Sequence, residues 1–251
     1  MRKSFYQIVL CTWVLVLLPL VSIQAMDPPK QGFGIQLGWA QPILRLNSPS
    51  NPASAKDSLS QTIKLKGFKV GVVYDASYVK GFGSSIGINY TFGAMNTGWK
   101  AAGIISNYPR TRQLITYNEL EVFVDWQYKF EVAKETYLML YTGPTIQCGL
   151  AFHMRSDSQE DYGAEITHKR YDGYTTENKN EQFTRLNVTW GVGAGFQYKR
   201  YFLRGGYDFG LINPYANRQF VDKYGNPLDH YTRGRLDQWN IRLGVYLWYA
   251  E

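Results

Sequence analysis

Cysteine is scarce in this chain: only Cys11 and Cys148 occur in 251 residues, alongside three histidines. Two thiols so far apart form no CxxC redox motif and no thiolate zinc set, and Cys11 lies in the leading apolar stretch, so no disulfide framework staples the fold. Charged residues are also few, at 19%. The basic surplus, 27 against 20, is spread along the chain instead of clustered, which excludes nucleic acid as a partner. Long apolar runs are missing after Ala25. None approaches the roughly 20 residues of a spanning helix, so any crossing of a membrane must be made by strands.

The leading segment is read as an address. Arg2 and Lys3 precede an apolar core from Ile8 to Val21, interrupted by Pro19, and Ser22-Ile23-Gln24-Ala25 offers a small residue at a cleavage point. This pattern predicts a cleaved signal peptide over 1–25, with 26–251 as one exported domain.

What the chain does have is aromatics and glycine: 7 Trp, 20 Tyr, 13 Phe and 24 Gly. Period-two alternation organises them. From Arg185 to Lys199 one face reads Leu186, Val188, Trp190, Val192, Ala194, Phe196, Tyr198, and the other Arg185, Asn187, Thr189, Gly191, Gly193, Gly195, Gln197, Lys199. The split recurs over 238–249, where Trp239, Ile241, Leu243, Val245, Leu247 and Tyr249 share a face, and over 115–130. Weaker versions cover 31–46, 66–78, 82–95, 136–153 and 201–216, which makes eight strands.

The connections alternate between short and long, with short ones at 79–81, 131–135 and 199–200. Such a meander predicts an all-β fold, an eight-stranded antiparallel up-and-down transmembrane β-barrel with periplasmic termini and four exterior loops. A soluble lipocalin-like barrel alternates identically, but its polar face would be solvated. Here that face carries Gly191, Gly193, Gly195, Gly206 and Gly210, which suits a crowded lumen. Tyr78, Phe82, Tyr128, Phe130, Tyr198, Tyr201 and Tyr249 fall near the short turns or the C-terminus, and parity turns all seven outward as a membrane-interface ring.

Four strings then carry a resemblance: Tyr117-Asn118-Glu119-Leu120-Glu121-Val122, Tyr137 to Gly143-Pro144, Gly191 to Phe196, and Phe202 to Asn213. In this order the chain resembles the PorT-like outer-membrane β-barrel family of Bacteroidota, well over 115–215 and by general pattern before that. Two departures stand out. Val122 or its neighbours replace a proline usual in the family, and the chain ends Trp248-Tyr249-Ala250-Glu251 instead of on an aromatic. The resemblance implies fold and outer-membrane location, with type IX secretion linked to some members.

An eight-stranded barrel is filled by its own side chains, which argues against an open channel. The inward set is expected to comprise Lys69, Asp75, Glu119, Glu121, Asp125, Lys129, Arg185, Lys199, Arg204, Asp208 and Arg242, paired as a plugging ion network. An enzyme reading, acting on lipid A acyl chains, would need His153 with a hydroxyl such as Ser156. Residues three apart on a strand point to opposite faces, so this pair forms only if the chain has already turned. No metal or other cofactor is expected. The expected partners are outer-membrane lipid and lipopolysaccharide, with envelope or secretion-system proteins reached through the long loops. The function expected is that of a non-enzymatic outer-membrane protein, structural or partner-docking.

Overall fold

The computed structural model describes residues 31–47, 60–79, 81–101, 109–174, 183–214 and 233–250. The leader expected at 1–25 lies outside the described residues. Eleven strands follow one another: β1 (Gln31–Asn47), β2 (Ser60–Lys64), β3 (Lys66–Val79), β4 (Phe82–Asn96), β5 (Lys100–Ala101), β6 (Arg110–Ala133), β7 (Thr136–Gln159), β8 (Thr167–Asp172), β9 (Leu186–Tyr198), β10 (Tyr201–Gly210) and β11 (Arg233–Ala250). Among the described residues no helix is long and apolar enough to cross a membrane.

Eight of these strands close a ring. Each of β3, β4, β6, β7, β9, β10 and β11 pairs antiparallel with its neighbour in that order, and β1 pairs with both β3 and β11. Closure satisfies every edge, which is what a sheet needs in a medium without water. The eight-stranded antiparallel barrel read from the alternation is the fold.

The short turns are tight because their residues adopt left-handed backbone: Gly81 at φ 85°, Glu135 at φ 58° and Lys199 at φ 52°. Two of them are tied together, since Lys199 N–H donates to the Glu135 carbonyl at 2.9 Å and Lys199 Nζ lies 3.7 Å from the Glu135 carboxylate.

On the long-loop side the structure departs from the expected boundaries. The pair β6–β7 runs to Arg110 and Gln159, well past the ring, and β8 adds to it along His153 to Ser158. Both faces of this extension are polar, so apolar alternation cannot reveal it. The strand expected over 201–216 stops at Gly210, where Leu211 N–H turns back to the Val188 carbonyl and the Pro214 carbonyl accepts from Thr184.

Inside the ring lie two apolar clusters. Val73, Phe123, Met139, Phe202 and Tyr246 pack toward the short-turn end, and Leu44, Ile63, Leu65, Ile115, Tyr117, Phe152 and Tyr174 close the long-loop end. Between them and through the lower cluster run the polar side chains.

Candidate functional site

The lumen is assembled from inward positions of all eight strands. The motif glycines make this possible by leaving room for large neighbours: a Cβ on Gly193 would meet the Tyr141 ring at 2.2 Å, one on Gly191 Asp208 Oδ1 at 2.6 Å, and one on Gly195 the Met139 methyl at 2.9 Å. Glycine therefore marks places where a neighbouring strand's side chain fills the bore.

Nearer the short turns, Asp75 organises the charges. Arg204 Nη2 donates to both of its oxygens at 2.8 and 2.9 Å, Lys129 Nζ donates at 3.2 Å, and the Tyr246 hydroxyl donates as well. Arg204 also reaches Ser85 Oγ at 2.9 Å and Gln127 Oε1 at 3.2 Å, while Lys129 reaches Gln197 Oε1 at 3.0 Å. All four charged or phenolic groups are buried. A second knot lies toward the long loops. Lys69 Nζ donates to Glu121 at 2.6 Å and to the Gln238 carbonyl, Thr91 donates to Glu121 at 2.9 Å, and Glu119 accepts from Tyr117 at 2.7 Å and Gln238 at 2.6 Å.

Nine of the eleven residues expected in the lumen lie there: Lys69, Asp75, Glu119, Glu121, Asp125, Lys129, Arg204 and Arg242 are buried, and Asp208 is half-buried, accepting from Asn240 at 3.0 Å. Arg242 sits over the Phe123 and Tyr141 rings at 5.4 and 6.0 Å. Two do not. Lys199 is in a short turn and exposed, because the left-handed backbone there ends the strand before its inward parity applies. Arg185 precedes β9 and donates to the Gly149 and Leu150 carbonyls within β7, with its guanidinium 4.9 Å from the Tyr174 ring centroid.

The neutral side chains Gln36, Asn89, Gln127, Gln147, Gln197 and Gln238 are buried in the same lumen, and a search for charges overlooks them. Inward parity alone would have found them.

Of the seven aromatics assigned to an outward ring, Tyr78, Phe82, Tyr198 and Tyr201 are exposed near the short turns, and Tyr128 and Phe130 pack on one another at 4.5 Å. Tyr249 does not join that ring. Phe33 pairs with Trp248 and Gly34 with Tyr246, so Leu247 is an extra residue in β11 and reverses parity beyond it. Trp248 thereby turns outward, while Tyr249 stacks on buried Tyr246 at 5.3 Å and its hydroxyl accepts from Gln197.

β7 is still extended at Ser156, so His153 and Ser156 lie on opposite faces. His153 Nδ1 instead lies 4.0 Å from Asp172. Among the described residues no group of three His, Cys, Asp or Glu side chains forms a metal-binding set. A small cleft is lined by the upper apolar cluster together with Phe183, Pro214 and Leu236.

Outside the bore, two buried aspartates gather cations on the outward face. Asp157 accepts from Arg112 at 2.6 Å, Arg155 at 2.6 Å and His168 at 2.8 Å, clamping β6, β7 and β8. The Arg112 hydrogen bond, helped by Arg155 and His168, holds the Asp157 carboxyl below the usual carboxylate range. Across the barrel, Asp237 accepts from Arg45 at 3.0 Å, Arg235 at 3.0 Å, the Tyr207 hydroxyl at 2.9 Å and the Gly210 N–H at 3.0 Å.

No protein-family profile matches the chain, and no curated protein does. Among solved structures, Ail, the attachment invasion locus protein of Yersinia pestis, is 10% identical with a TM-score of 0.37, over 86% of this chain and 98% of that one. Neisserial surface protein A is 13% identical with a TM-score of 0.39, over 86% and 97%. The N-terminal β-barrel domain of Pseudomonas aeruginosa OprF is 8% identical with a TM-score of 0.27, over 86% and 98%. The PorT-like resemblance rests on the four strings of the sequence.

Proposed function

We propose that the chain is a non-enzymatic integral protein of the bacterial outer membrane, with a structural or partner-docking role. One observation carries this reading: the outward surface of the ring is apolar on every strand. Leu37, Leu243 and Leu247 are 60%, 62% and 57% exposed, and Ile86, Val122, Ile146, Phe196 and Leu203 continue the band on other strands. A contiguous apolar surface of that extent is not tolerated in water but is what hydrocarbon requires. The buried charges inside supply the complementary feature, a bore closed by its own side chains.

Exported protein with Cys148 replaced by serine provides the test. A cysteine introduced at exposed Tyr162, on the long-loop side, should react with a membrane-impermeant maleimide in intact cells, whereas one at Lys134 in a short turn should react only after lysis. Recovery of the mature chain in a detergent-free soluble fraction would overturn the reading. The PorT-like resemblance supports a finer reading, a place beside the type IX secretion apparatus. Crosslinking in intact cells that repeatedly captures its components would support that place, and crosslinked neighbours without them would remove it.

A further inference from the structure

The outward face of β11, β1, β2, β3 and β4 changes character abruptly along the strands. Ile241, Trp39, Phe68 and Phe92 form one continuous row, each directly opposite the next, with the Phe68 and Phe92 rings 5.6 Å apart. Trp239 lies one outward position further toward the long loops, its indole N–H donating to Gln41 at 2.6 Å. Immediately beyond come Lys66, Lys64, Arg45 and Arg235, all exposed. Lys64 is opposite Ile43, which is opposite Asp237, and Arg45 is opposite Arg235, so strand pairing brings Lys64, Arg45 and Arg235 to one surface, and Lys66 follows Lys64 by two residues.

Asp237 is the one anion among them in the described residues, and it is consumed. It is 0% exposed and accepts four hydrogen bonds; both arginines touch it through Nε, Arg45 Nη2 also donates to the Tyr207 hydroxyl at 3.4 Å, and the two arginine side chains are 46% and 45% exposed. Four cations against one buried carboxylate leave an outward surplus of positive charge, with two guanidinium groups held in fixed positions.

We propose that this strip is a docking site for a phosphorylated glycolipid of the outer leaflet, of the lipid A class. Its phosphates would lie against Arg45, Arg235, Lys64 and Lys66, with its acyl chains running down over Trp39, Phe68, Phe92 and Ile241. The height of the strip commits the occupant. A soluble anion needs no apolar row beneath it, whereas an amphiphile in the leaflet meets aromatic side chains at the interface and cations directly above them. Planar guanidinium forks pre-set by a buried carboxylate suit phosphate oxygens bidentately. The proposal rests on the outer-membrane reading above and names a partner for one flank of that surface.

Detergent-purified, folded protein tests it by native mass spectrometry and titration with diphosphoryl lipid A, with the same lipid dephosphorylated, and with inorganic phosphate as competitor. Diphosphoryl lipid A should bind best. Arg45→Ala with Arg235→Ala should weaken it roughly 25-fold, about fivefold for each cation removed near a charged surface, and Lys64→Gln with Lys66→Gln similarly. Lys134→Gln, at the opposite end, should change nothing. A retained heat-dependent gel shift certifies that each variant is folded. Equal affinity for phosphorylated and dephosphorylated lipid, or full competition by inorganic phosphate at equal concentration, would overturn the glycolipid site while leaving the barrel intact. Absence of a gel shift in the unaltered chain would instead count against the membrane-barrel reading itself.

Discussion

Asp75 is the side chain on which the lower lumen turns, because Arg204, Lys129 and Tyr246 all donate to it in a space closed to water. Removing one partner of a buried charge cluster costs about 3–5 kcal/mol, since the remaining charge keeps its desolvation penalty. Asp75→Asn leaves Arg204 and Lys129 without the carboxylate to which both donate, whereas Arg204→Met leaves the Lys129–Asp75 pair in place at 3.2 Å. We therefore expect Asp75→Asn to lower the temperature at which the folded band converts on a gel by more than Arg204→Met does. Equal shifts would mean that the cluster is hydrated and its charges independent. At this scale the sequence was legible wherever period two held. Lys69, Glu121 and Arg204 could be placed inward from alternation, but their partners came from strands up to 169 positions away, and Tyr249 was misplaced because one extra residue, Leu247, is invisible as a bulge in the pattern.

Strands β6, β7 and β8 form an element of their own beyond the ring, and Asp157 is its fastener. Its carboxyl titrates below the usual range, chiefly through the Arg112 hydrogen bond, so it is ionised wherever an unfolded aspartate would be. The sign follows from linkage: a depressed carboxyl contributes stability that is complete above the ordinary value of about 3.9 and is lost as the pH falls through its folded value. Cleavage within β8 by an acid-active protease should stay slow down to about pH 4 and accelerate below it. At neutral pH, Asp157→Asn should open the same segment to trypsin at Lys169 and Arg170, which are exposed. Cleavage of the variant at the unaltered chain's rate would show that the ladder between β7 and β8 suffices without the clamp. Trp99, packed on Arg110 and Arg112 at 4.8 and 4.9 Å, holds the other edge of this extension. None of it could be read as strand beforehand, because apolar alternation marks strands with an apolar face, and the side chains buried here, Asp157 and Gln159, are polar.

The whole molecule is a sheet closed on itself with apolar rows outside, charges and amides inside, and an apolar cluster across the long-loop end. Buried side chains fill the bore among the described residues, so planar bilayers containing the protein should show no conductance steps, and Asp75→Asn should not create them. Ohmic steps in the unaltered protein would require the lumenal network to open. The two outward arginine clusters sit on opposite flanks of the ring, one between β11 and β1 and one on β6 and β7. Only the first adjoins the row of Trp39, Phe68 and Phe92, which is why the lipid-docking proposal belongs to that flank.

Alternation, the spacing of short and long connections and the placement of glycine determined the architecture from the sequence by itself, because each strand must put one face in an apolar medium and the other in a crowded bore. Those are local requirements, written every second residue. Tertiary structure alone decided which charges meet, that Lys199 and Arg185 stand outside the lumen, that Leu247 reverses the end of β11, and that Arg45 and Arg235 share Asp237 although 190 positions separate them. Closure of the ring brings the first strand against the last, and no pattern along the chain encodes the register in which they meet.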